Sequence, residues 1–189
     1  MTSVHATAPA SLGRRMLNKV PEVTIFFWLI KIMCTTVGET GADYVNDNLG
    51  FGLTKTTYVA GALLAVLLLV QFSLRRYVPV SYWAVVVVIS VFGTLITDNM
   101  TDGHNVPLTT STPIFAVILA VVFAVWWWVE RTLSIHSIVT RRREAFYWLA
   151  ILFTFALGTA SGDLVAEKFD LGYGISILIF GGIIALITF

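Results

Sequence analysis

A four-residue skeleton recurs three times along the chain. Trp28, Gly38, Asp43 and Asp47 are separated by ten, five and four residues. The same intervals link Trp83, Gly93, Asp98 and Asp102, and then Trp148, Gly158, Asp163 and Glu167. The copies of W-x9-G-x4-D-x3-[DE] are offset by 55 and 65 residues. Self-similarity of this kind decides an architecture before local propensity does. Whatever one copy builds, the other two must build as well, each with a glycine and two acids at matching places.

Those copies sit in strongly apolar surroundings. Of 189 residues, 57% are hydrophobic and 12% charged, against about 25% charged in soluble domains; the mean hydropathy is +0.85. This excludes an ordinary soluble domain. A bilayer core about 30 Å thick needs roughly 20 helical residues, and the apolar runs reach that length. Only helices and closed barrels pair all backbone groups inside lipid, and runs this continuous exclude barrel strands. The expectation is an all-α membrane protein of six transmembrane helices, running near 21–48, 56–74, 80–102, 113–133, 145–169 and 172–189. Residues 1–20 read as a mobile tail without an apolar signal segment. Three helical-hairpin repeats follow at 21–79, 80–140 and 141–189. Each has a first helix ending in acids, a short loop and a more uniformly apolar second helix. Three two-helix repeats entering from one face are parallel, related by an axis along the membrane normal.

The net charge of +1 conceals a division between the two ends. Arg14, Arg15, Lys19, Arg75, Arg76, Arg131 and Arg141–Arg143 fall on one side, which the positive-inside rule makes cytoplasmic together with the N-terminus. Tyr82-Trp83, Trp126–Trp128 and Tyr147-Trp148 read as an aromatic belt there, with Trp28, Trp83 and Trp148 as interface anchors. The opposite side carries the acids, with only Lys55 and Lys168 among them.

If each repeat tryptophan marks the basic interface, the glycine lies about 15 Å deeper at 1.5 Å per residue. Gly38, Gly93 and Gly158 then fall near mid-membrane, where small residues let helices approach closely. The first acid lies at about 22 Å and the second at about 28 Å, on one helix face at i and i+4. Glu39 is deeper still. A carboxylate at the membrane centre costs up to about 2.5–3.5 kcal/mol. Glu39, Asp43, Asp47, Asp98, Asp102, Asp163 and Glu167 therefore line a hydrated cavity, hold cations or carry protons; the plainer alternative is a set of solvated helix caps at the rim. Oxygen-only surroundings, with Thr35, Thr36, Thr40, Thr94, Thr97, Thr159 and Ser161 nearby, suit hard divalent cations. A bound divalent cation is the only cofactor suggested, with Glu39, Asp43, Asp98 and Asp163 as its first ligands.

Other residues carry less. Lys31 reads as snorkelling to the basic interface, His104 and His136 as solvated, and Cys34, the only cysteine, as packing. No HExxH, P-loop, GxSxG or dinucleotide fingerprint occurs, so no enzyme is expected, and no nucleic-acid partner.

The stretch KVPEVTIFFWLIKIMCTTVGETGADYVNDNLGFGL and its later copies resemble a bacterial family of multi-pass membrane proteins built from a repeat of unknown function (domain of unknown function 347). The resemblance implies a multi-helix protein of the bacterial inner membrane and supplies no activity. That family typically has four repeats, whereas the third here stops inside its second helix, which suggests a shortened sequence or a partner, a second copy included, over that end. The functional expectation is a transporter or channel for a small cation, a divalent metal first and a proton-coupled organic cation next. The alternative is a structural or assembly subunit.

Overall fold

The computed structural model describes residues 18–48, 50–168 and 172–188. They form six α-helices: α1 Ile25–Asp43, α2 Gly52–Ser73, α3 Pro79–Asp98, α4 Leu108–Glu130, α5 Arg141–Asp163 and α6 Gly172–Thr188. Local chemistry sets several of the ends. Thr24 and Thr140 each accept an N–H of the first turn through their hydroxyls, from Phe27 and Arg143 (3.3 Å each). Pro79 opens α3, where its missing N–H costs nothing. Arg131, with φ of 55°, ends α4 in the left-handed region. α4 begins at Leu108 rather than near Pro113, because Pro107 supplies the start and Pro113 forfeits only one bond near the helix end.

Five stretches, Ile25–Asn46, Gly52–Ser73, Pro79–Gly103, Leu108–Glu130 and Arg141–Glu167, are long and apolar enough to cross a membrane. The sixth helix, of 17 residues, is shorter. Each first helix of a repeat ends in the same unexpected way. One residue after the first acid the α-helix widens into a five-residue π turn: Tyr44–Asn48 after Asp43, Asn99–Gly103 after Asp98, Leu164–Lys168 after Asp163. The second acid occupies the fourth position of every turn. Such widenings are rare and concentrate at functional sites.

The packing is less symmetric than the repeat. α3 is the central helix, flanked by α1 and α5, while α2 lies chiefly on α3 and α4 on α5. A second helix thus rests on the first helix of the following repeat. The glycines are the seats. A Cβ on Gly38 would collide with Ser90 of α3, and one on Gly93 would meet Phe155 Cβ at 2.8 Å and Leu152 O at 3.3 Å on α5. Ser90 and Phe155 each stand seven residues after their own tryptophan, so the two seats are equivalent. A Cβ on Gly158, the third, would meet nothing within 4 Å among the described residues.

The dry core gathers at the basic end around Tyr82, Val85, Val86, Ile89, Trp126, Tyr147 and Trp148. Here the belt reading needs correcting. Trp148 is only 2% exposed and lies 5.3 Å from the Tyr82 ring, so it is a core residue and not an interface anchor. Trp83 is half-buried against Phe27, and Trp28 alone of the three is exposed. Trp126 is likewise buried while Trp127 and Trp128 face outward. Residues 1–17 of the expected tail lie outside the described residues, but its end is anchored. Lys19 and Val20 are buried, and the Lys19 N–H donates to Ile138 O at 3.0 Å.

Candidate functional site

The acids meet at the other end of the bundle. A cavity of about 380 Å³ is lined by Glu39 and Asp43 from α1, Asp98 and Asp102 from α3 and its π turn, and Asp163 and Glu167 from α5 and its π turn. Thr94, Thr101, Thr159 and Leu108 complete the wall. Three helices thus deliver two carboxyl groups each; Asp43, Asp98 and Asp163 are equivalent positions of the three copies, as are Asp102 and Glu167, whereas Glu39 stands where the other copies have Thr94 and Thr159. No lysine, arginine or histidine lines it among the described residues. Lys55 lies beside another hollow with Phe51 and Tyr58. The side chains of Asp47 and Lys168 lie outside the described residues, as does Asp170.

Hydrogen bonds between helices hold the frame. Thr94 and Thr159 share a bond between hydroxyls at 3.2 Å. The Thr97 hydroxyl donates to Ala156 O at 3.0 Å, joining α3 to α5, and that of Thr112 to Ala160 O at 3.1 Å, joining α4 to α5. Asn99, in the second π turn, donates to Leu95 O at 3.0 Å and also to the Thr57 hydroxyl of α2. Threonines are the right residue for this. Their hydroxyls satisfy helix carbonyls locally and reach one helix further where backbones are close.

Six carboxyl groups around one hollow make a strongly negative, oxygen-lined space that concentrates cations. They are spread around its wall. Among the described residues no three His, Cys, Asp or Glu side chains converge as a ready set of metal ligands. A cation held here would keep part of its water, as Mg²⁺ does by preference, or be large enough to touch several walls.

A second cavity, of about 400 Å³, adjoins the first and shares Glu39, Thr94, Thr159 and Asp163 with it. Thr35, Thr154 and Ser176 give it hydroxyls; Phe155, Ile177 and Phe180 give it apolar walls. Only Thr35 among those six drew notice in the sequence. Nothing in the spacing marks Ser176 or Phe180, because α6 carries no copy of the motif, and Thr154 on α5 is not one of the motif positions.

The remaining candidates fall elsewhere. His104 is exposed, its Nδ1 2.6 Å from Asn99 O, and does not line the cavity. The Lys31 ammonium lies among aromatic rings. It lies 5.6 Å from the Phe155 ring centre and 5.8 Å from that of Trp28, between α1 and α5. Cys34 is buried, and its carbonyl accepts from the Ser90 hydroxyl at 3.3 Å.

The Repeat of Unknown Function (DUF347) matches three times, over residues 26–77, 81–132 and 146–189. The chain belongs to this family. Each match holds one copy of the tryptophan–glycine–acid motif, so the DUF347 repeat and the repeated acid pair coincide. No curated protein and no solved structure matches the chain.

Proposed function

We propose that this DUF347 protein spans the bacterial inner membrane, N-terminus inside, as three parallel hairpins, and binds and conducts a small cation. The observation that carries the reading is the cavity holding six carboxyl groups from three helices with no basic residue on its described wall. Carboxylates within membrane spans are expensive, and where they occur they mark ion and proton paths. Gathering so many like charges around one hollow for scaffolding alone would set them against one another with nothing to offset the repulsion, whereas a resident or passing cation neutralises them.

A divalent metal held through its water shell and an organic cation both fit an oxygen-lined wall without a convergent ligand set. The test is cation uptake into liposomes carrying the purified protein, together with binding of Mn²⁺, for wild type, Asp98→Asn and Asp163→Asn. Either substitution should abolish uptake or lower it at least about tenfold, while the melting temperature in detergent stays within a few degrees of wild type. Variants that lose folding, with wild type moving no cation, would make the acids a structural device and the chain an assembly subunit.

A further inference from the structure

A lobe of different character stands beside the acids. Gly38 and Gly93 are each covered by the next first helix, but a Cβ on Gly158 or on Gly162, which lines the same cavity, meets nothing within 4 Å among the described residues. The space left over the third glycine is the 400 Å³ cavity between α1, α5 and α6. Its chemistry differs from that of the acid cavity. Phe155 and Phe180 supply aromatic faces and Ile177 an aliphatic one, with Glu39 and Asp163 standing where the two hollows join. Together they reach the range of small-molecule sites, about 300–1,000 Å³, which are mostly apolar with a few placed polar groups. The aromatic wall already accepts a cation, because the Lys31 ammonium rests against Phe155.

We propose that the open third seat is a ligand lobe, and that the cation taken by this protein is organic and amphipathic. Its positive centre sits between Glu39 and Asp163 and its apolar body lies over Gly158 against Phe155 and Phe180. This rests on the cation reading of the acid cavity and narrows it to a substrate class. A bare metal ion has no use for the lobe. A hydrophobic monocation gains from burial of its body and from ring quadrupoles, and needs no convergent ligand set.

Gly158→Leu fills the lobe without touching the acids, and with no atom within 4 Å of the new Cβ it leaves the fold intact. Tetraphenylphosphonium is the probe, measured by equilibrium binding to the full chain in nanodiscs, with tetraphenylborate as the anion of the same shape and Mn²⁺ as the metal. The phosphonium should bind and the borate should not. Gly158→Leu should weaken phosphonium binding about tenfold or more, and Phe180→Ala about fivefold. Mn²⁺ binding should respond to Asp163→Asn and not to Gly158→Leu.

Acid-dependent Mn²⁺ binding without phosphonium binding, or phosphonium binding indifferent to Gly158→Leu, would overturn the organic-cation assignment and leave the cation reading standing. Binding of neither would remove both. Cross-linking of Gly158→Cys to a second chain, in a Cys34→Ala background, would also overturn it, by showing that a helix occupies the seat.

Discussion

The most deeply buried ion pair among the described residues lies away from the acid cavity. Lys19 Nζ is 2.7 Å from Glu144 Oε2, with the two side chains 5% and 1% exposed. Gln71 donates to the other carboxylate oxygen at 3.2 Å and accepts from Ser81 at 2.7 Å. The segment before α1 is thereby tied to α2, α3 and α5 through four side chains. A buried pair satisfied in this way is costly to break on one side, at about 3–5 kcal/mol, and much cheaper to replace whole. Glu144→Ala should lower stability by about that amount, and Lys19→Met with Glu144→Leu by distinctly less; denaturant or thermal unfolding in detergent reads both. Equal losses would mean that the network supplies something apolar packing cannot replace. None of this was legible in the sequence. Lys19 reads there as one more positive-inside charge and Glu144 as the end of RRRE; 125 residues separate them, and only the fold brings them together.

For the helices, much was legible and the reasons are physical. Apolar runs near bilayer length placed the helices within a few residues, and identical spacing put the acids at one end. Spacing could not foretell the π turns. A carboxylate at i+4 suits an α-helix as well as a wider turn, and only the backbone shows that Asp47, Asp102 and Glu167 sit within widened turns. Nor could it rank the glycines, which are identical in sequence context and different in surroundings. Gly93→Leu drives a side chain into Phe155 and the Leu152 carbonyl, and overpacking of that kind costs about 1–3 kcal/mol or more. Gly158→Leu should cost nothing measurable. A thermal-unfolding comparison of the two decides the matter, and equal destabilisation would mean that the third seat is covered like the others.

Across the whole molecule the two ends are built for opposite purposes. At the basic end Tyr82 and Tyr147 join through their hydroxyls, Trp148 lies against them, and the Lys19–Glu144 network seals the surround. At the acidic end α1 and the π turns that follow α3 and α5 stand around a hollow that holds carboxyl groups instead of a core. Trp148 shows why sequence misplaced this boundary: an aromatic beside arginines suits an interface belt and a plug between helices equally well, and packing alone separates the two. On the proposed cation reading, a structure closed at one end and hollow at the other is expected to admit ions and water to the acids from the acidic face only. Cysteine accessibility tests it in sealed vesicles of known orientation, with Cys34 replaced by alanine. Thr159→Cys, on the wall shared by the two cavities, should react with a membrane-impermeant thiol reagent from the acidic face and not from the basic one. Ile89→Cys, in the 1% exposed core below it, should stay unreactive from both. A bound cation should slow the first reaction and leave the second unchanged. Labelling of Thr159→Cys at equal rates from the two faces would mean a pore open from end to end, and the aromatic plug would then be no barrier to the ion.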